Sequence, residues 1–323
     1  MADTVLFTNM NAKGNRFDKH RVKTLDKIVK THGRIIKTHS VEELEYHLSD
    51  LYKKNPETIT IDGGDGTLLT FFTLMLKYWP KEREIPPIGL IPGGTWNVMS
   101  KHAELKKRKW KKYLRMLIKS NIEDLSKQDI GLMNIKDNNN LEAYGFSFGM
   151  GMASTLLEEY YRAKYLKLFK VAEMAIKLFG SAIINGEFYK RFNDHYEVIL
   201  ENGNGKKIKE NVLGVMAQTI PNIGAPKSRP FYRATHSQKF HILGTQMGIT
   251  DFLWAAIPFY FGKSNLLKNM IDLQTGTYKI TSANKPFKYQ VNGDLEFDNN
   301  KFYANEVTLT HGRTIDVIKY IRQ

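Results

Sequence analysis

One segment constrains this chain more than any other. The β-branched run Ile59-Thr60-Ile61 ends in Asp62-Gly63-Gly64-Asp65-Gly66-Thr67 and passes into Leu68-Leu69-Thr70-Phe71-Phe72. That pattern reads as a strand, a tight turn and the start of a helix. Glycines let backbone N–H groups approach an anion closely, and a helix N-terminus adds partial positive charge, so the turn suits a phosphate. Asp65 adds a second condition. A carboxylate beside phosphates is repelled unless it holds Mg²⁺ or takes a proton, so the turn points to phosphoryl transfer rather than storage.

The design recurs about thirty residues later. Pro87-Ile88-Gly89-Leu90-Ile91 reads as a short buried strand, followed by Pro92-Gly93-Gly94-Thr95-Trp96-Asn97 and the helical Val98-Met99-Ser100-Lys101. An earlier strand, residues 4–8, ends in the donor-rich Asn9-Met10-Asn11-Ala12-Lys13-Gly14-Asn15-Arg16. In parallel α/β sheets ligands bind beyond the carboxyl ends of the strands, so three polar turns are expected to converge on one nucleotide site.

At these residues the chain resembles the diacylglycerol kinase catalytic domain, shared by bacterial lipid kinases, sphingosine kinases and ceramide kinases. The family's first loop, Asn-Pro-x-Ala/Ser and then Gly or Lys-Gly, stands here as Asn9 to Gly14 with Met10 in place of proline. Its Gly-Gly-Asp-Gly-Thr is intact as Gly63 to Thr67, and its Pro-x-Gly-Thr-x-Asn is intact as Pro92 to Asn97. Val98, Ser100 and Lys101 depart from the Asp and Ala-Arg that often follow. The resemblance implies ATP as phosphoryl donor, with backbone amides of Gly63, Gly64, Gly66, Thr67, Gly93, Gly94 and Thr95 on phosphates. Asn9 and Asn97 are then expected to position the nucleotide, Lys13 and Arg16 are candidates for phosphate contact, and Asp65 is the candidate base or Mg²⁺ ligand.

Other nucleotide signals are weaker. NAD kinases and phosphofructokinases share Gly-Gly-Asp-Gly, and it is the Gly-Gly-Thr-Trp-Asn turn that separates this chain from them. A diguanylate cyclase turn needs Glu-Phe after the Asp, where Gly66-Thr67 stands. Gly262-Lys263-Ser264 mimics the end of a P-loop, but Ile257 occupies the place of its first glycine. Gly149-Met150-Gly151 opens a dinucleotide fingerprint that Ser154 fails to complete. Both are read as structural glycines.

A division near residue 130 is expected. Before it, helices at residues 17–31, 41–53, 68–79 and 106–120 alternate with strands near Val5, Arg34, Thr58 and Ile88, an α/β wound sheet. After Gln128-Asp129-Ile130-Gly131 the pattern becomes strand-rich, with candidates at 130–135, 144–148, 196–200, 213–218, 240–243, 277–282, 289–292 and 307–310. Residues 137–140 and 201–207 read as hairpin loops. The resemblance implies the same split: a Rossmann-like (phosphofructokinase-like) ATP-binding lobe over residues 1–130, and a β-sandwich lobe over 131–310 that carries the lipid determinants. The tail 311–323 is expected to return to the first lobe.

At 323 residues with 42% hydrophobic side chains, the chain can build two cores. The absence of cysteine rules out disulfides and thiolate metal sites. No charged and then apolar leader opens the sequence, and the longest apolar run, residues 252–261, is about half of what a bilayer crossing needs. The reading is cytoplasmic, peripheral on the inner membrane face. Net charge is +15, and residues 101–119 concentrate it, with nine Lys or Arg against Glu104. Trp110, Tyr113, Leu114 and Leu117 recur there at helical spacing, so the segment reads as a basic amphipathic helix. Its basic face is either simply solvated or attracted to an anionic membrane; no reader motif appears, and no nucleic-acid partner is expected.

A long helical stretch is expected at residues 154–179, as a crossover helix or a wall of an acyl-chain cleft. Trp254, Phe259, Tyr260 and Phe261 are read as core, with the same cleft as the alternative, and His236 and His241 as ordinary surface or core residues. The second lobe also departs from the family. The loop 221–230 leads to Ser237-Gln238 where lipid kinases commonly carry Asp-Gly-x-Leu-Asp, and Asn292-Gly293-Asp294 stands where they carry Asp-Gly-Glu. Asn292 cannot accept a proton at neutral pH, so Asp65 is the favoured base, with Asp294 in place of the family's Glu and Asn292 as a candidate catalytic residue that orients the acceptor hydroxyl or a metal-bound water. The expected function is ATP- and Mg²⁺-dependent phosphorylation of a hydroxyl on a membrane lipid of diacylglycerol or sphingoid type, by a chain that could pair as a homodimer. Two alternatives stay open: a nucleotide- or lipid-binding protein with weak or no kinase activity, and a soluble NAD or sugar kinase.

Overall fold

The structure is a computed structural model that describes residues 3–30, 33–162, 173, 177–178, 180–182, 184–225 and 227–320. They form two units, Met1–Leu132 with Arg313–Gln323, and Met133–Gly312.

The first unit is built on four parallel strands, β1 (Thr4–Asn9), β2 (Gly33–Thr38), β3 (Thr58–Gly63) and β4 (Ile88–Pro92), in the order β2-β1-β3-β4. Strands β3 and β4 are buried along their whole length; β4 runs apolar throughout, whereas β3 alternates Ile59 and Ile61 with buried Thr58 and Thr60. Helices α1 (Lys13–Arg16), α2 (Lys19–Val29), α3 (Val41–Ser49), α4 (Asp65–Tyr78), α5 (Val98–His102) and α6 (Trp110–Lys119) connect and follow them. Two starts are fixed by side chains, since Asp18 accepts from the N–H of Arg21 (3.0 Å) and Ser40 from that of Glu43 (3.2 Å). In α6, Trp110, Tyr113, Leu114, Leu117 and Ile118 are buried while Lys111, Lys112, Arg115 and Lys119 are exposed. The expected amphipathic helix is therefore present, but its first turn is a 3-10 turn at Lys107–Lys109, and the α-helix begins only where Trp110 anchors the chain in the core.

Other boundaries shift for physical reasons. Helix α4 opens at Asp65 rather than Leu68, so the second carboxylate of the glycine turn sits in the helix's first turn. The donor-rich loop after β1 contains the short α1. Helix α3 stops at Ser49, and a 3-10 turn, Leu51–Lys54, takes over before the left-handed Asn55.

Among the described residues, every strand pairing within the second unit is antiparallel. One sheet contains β8 (Tyr196–Asn202), β9 (Lys207–Val212), β13 (Thr277–Ser282) and β18 (Glu306–Ile318), ordered β18-β13-β8-β9, with β5 (Lys127–Asp137) and β6 (Glu142–Gly145) as a hairpin. The other contains β7 (Ser147–Gly151), β10 (Gly214–Gln218), β11 (Phe240–Thr245), β12 (Met270–Thr275), β14 (Phe287–Val291) and β17 (Tyr303–Ala304), ordered β12-β11-β10-β7-β14-β17. A two-stranded ribbon, β15 (Glu296–Phe297) with β16 (Asn300–Lys301), precedes β17. Tyr196 of the first sheet meets Phe287 of the second with ring centroids 6.5 Å apart, and Tyr289 stacks on Phe302 at 4.8 Å, so aromatic side chains fill the space of the β-sandwich.

Among the described residues, this unit carries α7 (Met152–Arg162), α8 (Glu187–Phe192) and α9 (Ile249–Tyr260). The helix expected at 154–179 is present as α7, and most of its remainder lies outside the described residues. The apolar run at 252–261 is helical, but it is not simply core: Phe252 and Phe259 pack inward while Trp254 is 75% and Phe261 54% exposed. The false P-loop is the stop of that helix, with Gly262 at φ +72° and Ser264 buried against Asp272. His241 is a fully buried core histidine whose Nε2 is bonded to Asp272 at 3.0 Å, while its Nδ1 is buried with no hydrogen-bond partner among the described residues.

Within the first unit the end of β18 is held by Tyr113, whose buried hydroxyl donates to the carbonyl of Ile318 (2.7 Å), while Val317 pairs with Ile88 of β4. Tyr113→Phe leaves that carbonyl without its donor. It is expected to cost about 1–2 kcal/mol by urea unfolding, whereas an unchanged midpoint would mean that the hydroxyl contributes nothing to holding the end of β18.

Candidate active site

The loops after β1, β3 and β4 meet through their backbones. The N–H of Gly93 donates to the carbonyl of Gly63, and that of Gly14 donates to the carbonyl of Gly93, both at 2.8 Å. None of Gly63, Gly64, Gly93 or Gly94 has a positive φ, so their lack of a side chain serves close approach rather than a left-handed turn. A Cβ on Gly94 would lie 2.5 Å from the Cα of Gly64, and one on Gly93 would lie 3.1 Å from the Cα of Gly63. The two glycine turns interlock, and neither can carry a side chain at the contact.

Side chains then fix the loops. Asn97, at φ 50°, accepts from the N–H of Gly94 (2.8 Å) and donates to its carbonyl (2.9 Å), so its amide shapes the second turn directly. Asn9 donates to the Thr67 hydroxyl (2.8 Å) and accepts from the N–H of Asn11 (2.9 Å), clasping the first loop to the first turn of α4. Below them lies a buried network that sequence reasoning missed. Asp62, fully buried, is ion-paired with Arg21 and accepts from Asn15 (2.7 Å), while Arg21 donates to Asn15 (2.9 Å) and lies 4.6 Å from the Trp110 ring centroid. Burial pushes the Asp62 carboxyl up and the Arg21 guanidinium opposes that push. Only Asp62's place in the glycine motif hinted at this network, since Asn15 and Arg21 look like ordinary loop and helix residues.

Asp65 sits at the mouth of the turns. Its carboxylate accepts from the N–H groups of Val98 (3.1 Å) and Met99 (3.4 Å) at the start of α5, which ties the two motifs together. Burial pushes its pKa up to about 6, and the backbone N–H groups of Val98 and Met99 and the Lys101 ammonium hold it from rising further. Helix α4 has no side-chain N-cap, so the first-turn amides of Asp65, Gly66 and Thr67 have no intrahelical acceptor and point positive charge outward. Thr95 is exposed, as are Lys13 and Arg16, whose guanidinium lies 5.7 Å from the Phe17 ring centroid. Lys107 donates to the carbonyl of Gly94 (3.4 Å), and Lys101 lies over the Trp96 ring at 6.0 Å, two cations near the turns that sequence reasoning had left in the general basic run.

Asn292 and Asp294 belong to the second unit. Asn292, at φ 52°, is buried and accepts from the N–H groups of Phe146 (2.8 Å) and Ser147 (3.1 Å), while its Nδ2 is buried with no hydrogen-bond partner. Asp294 closes the turn by pairing with Val291, and Tyr161 donates to the carbonyl of Gly293 (2.7 Å).

Residues 3–130, which hold all three loops, match the family model of the diacylglycerol kinase catalytic domain. This segment belongs to that family. Two crystal structures from Bacillus anthracis str. Sterne share the fold of the whole chain. One, provisionally named a diacylglycerol kinase, is 16% identical with a TM-score of 0.66. The other, named a diacylglycerol kinase, is 15% identical with a TM-score of 0.63. Each alignment covers 99% of this chain and 97% of the other. No curated protein sequence matches the chain.

Kinases of that family generally use Mg²⁺. Among the described residues no group of three His, Cys, Asp or Glu could hold a metal by itself. Mg²⁺ needs no such cage, because it is commonly bound through one or two carboxylates, substrate phosphates and water. Asp65, a single carboxylate beside uncapped amides, fits that mode.

The interlocked turns make a direct prediction. Gly94→Ala forces the two backbones apart and is expected to cost about 1–3 kcal/mol of stability. An alanine variant as stable as wild type in urea would show that the turns do not depend on this contact.

Proposed function

We propose that the chain transfers the γ-phosphoryl group of ATP, with Mg²⁺, to a hydroxyl of a membrane lipid of diacylglycerol or sphingoid type, at the cytoplasmic face of an anionic membrane. One observation carries the reading. A carboxylate with its pKa at about 6 opens a helix with uncapped first-turn amides, inside a turn locked to a second glycine turn. Phosphoryl transfer asks the protein mainly for positioning and charge stabilisation, which amides, cations and one carboxylate supply.

In this reading the amides of Gly64 to Thr67 and of Thr95 face the phosphates, and Lys101 and Lys107 add positive charge. Asn9 and Asn97 act on the nucleotide through the loops they shape. Asp65 takes the proton of the acceptor hydroxyl or anchors the Mg²⁺ that meets the charge of the transferring group. Asn292 is a structural residue: its carbonyl oxygen caps two backbone N–H groups, which either amide or carboxylate could do.

The first test is a radiolabelled-ATP assay over diacylglycerol, monoacylglycerol, sphingoid base and ceramide in mixed micelles, with NAD and sugar phosphates included. Incorporation into a lipid supports the reading; incorporation only into NAD or a sugar, or into nothing, rejects it. Asp65→Asn is expected to lower turnover roughly 10²- to 10⁴-fold. Wild-type kcat/KM should fall as pH drops through about 6, where the Asp65 carboxylate takes a proton. The stability effect has the opposite sign. Because the folded pKa lies above the ordinary value of 3.8, the favourable contribution of Asp65 is present at low pH and is lost as pH rises through about 6. Asp65→Asn should therefore unfold at a higher temperature than wild type at pH 8, with the gap closing towards pH 5. A variant that is equally active, or uniformly less stable at both pH values, would remove Asp65 from this role.

Asn292→Asp is expected to change turnover less than threefold, an effect of about 0.6 kcal/mol. A gain of tenfold or more would make the family's usual carboxylate the missing base and turn the wild type into a binding protein with weak kinase activity.

A further inference from the structure

Helix α9 packs Phe252 and Phe259 inward, yet it also carries an apolar stripe outward. Trp254 (75% exposed), Ile257 (71%) and Phe261 (54%) recur at helical spacing, and Leu266 (69%) follows in the next turn. These four are among eleven large apolar side chains exposed in the described residues, and they fall within thirteen consecutive positions. Exposed apolar area concentrated in this way marks an interaction surface more often than ordinary scatter does.

The rim of the stripe carries one sign of charge. Lys263 and Lys268 are exposed beside it. The loop carrying exposed Lys227 and Arg229 is bonded to the end of the helix, where the N–H of Arg229 donates to the carbonyl of Tyr260 at 3.0 Å. Neither residues 221–230 nor residues 252–269 contain a carboxylate. The nearest acids along the chain lie apart: Asp251 is at the other end of α9, and Asp272 is engaged by His241, Ser264 and Tyr232.

We propose that this end of the second unit is a bilayer contact, with the apolar stripe entering the headgroup region of an anionic phospholipid membrane and the basic rim resting on the lipid phosphates. The inference deepens the lipid-kinase reading and rests on it for the presence of a membrane. Charge selects the occupant. A second copy meeting the same patch would set four cations against four, whereas an anionic bilayer complements the rim and accepts Trp, Ile and Phe at its interface.

The test is co-sedimentation of the full chain, without nucleotide, with vesicles of 30% phosphatidylglycerol in phosphatidylcholine and with phosphatidylcholine alone. Wild type is expected to bind the anionic vesicles and to lose binding in high salt. The doubles Ile257→Ser/Leu266→Ser and Lys263→Gln/Lys268→Gln should each weaken binding about tenfold, with unchanged thermal unfolding because the replaced side chains are exposed. Two outcomes overturn the inference. In one, both doubles bind like wild type and binding is lost instead in Lys107→Gln/Arg108→Gln/Lys111→Gln/Lys112→Gln on the first unit. In the other, the doubles alter self-association in vesicle-free sedimentation and leave vesicle binding alone. Vesicle binding that follows the prediction without any lipid phosphorylation would keep the bilayer contact and reject the kinase. Phosphorylation of micellar lipid, with vesicle binding independent of the stripe, would do the reverse.

Discussion

The contact of two backbones is the constraint on which the candidate site depends. Gly63-Gly64 and Gly93-Gly94 approach until a single methyl group at Gly94 would overlap the Cα of Gly64. Strands β3 and β4 are neighbours in register, Gly63 opposite Pro92, so their turns emerge side by side and the glycines let them close on each other. The buried Asp62–Arg21 pair lies beneath this contact. An ion pair in such a place contributes little net stability, but removing either partner leaves an isolated buried charge, so the geometry it fixes is strongly held. Trp110 stacks on Arg21 and ties the start of α6 to the same point.

This arrangement sets a carboxylate among outward-facing first-turn amides. Asp65 is held by two backbone N–H groups of the neighbouring motif, so its position is set before any ligand arrives. Burial raises its pKa to about 6, close enough to neutrality that the ionised form dominates at pH 7 while the proton affinity stays useful for general base catalysis. The same burial makes the charge costly to the fold.

Much of this was legible in the sequence because it rests on local chemistry. The strand, glycine turn and helix start at Ile59 to Phe72 can be read from residue types alone, and the parallel sheet follows from alternating strand and helix patterns. The wound α/β sheet and the antiparallel sandwich are both present. What escaped the sequence depends on contacts distant along the chain. Asn15, Arg21 and Asp62 are 41 and 47 positions apart as bonded pairs, so no spacing rule joins them. Asn97 and Asn9 are expected from the motifs to position a nucleotide, and the bonds of their amides to Gly94 and Thr67 are visible only in the folded chain. The apolar run at 252–261 carried no sign of which face would turn outward, because both faces of α9 are apolar. Strand β9 is not evident from the sequence, since its inward face is Ile208, Glu210 and Val212 and the central Glu interrupts the hydrophobic alternation.

The central claim is that the interlocked turns, and not another part of the chain, receive the phosphates of ATP. Hydrogen–deuterium exchange with and without Mg-ATP tests it most directly. The account predicts slower exchange in peptides covering residues 63–68 and 93–97, where the uncapped amides of α4 and the second glycine turn would meet the nucleotide. Unchanged exchange there, with protection appearing instead around Gly262-Lys263-Ser264, would contradict it.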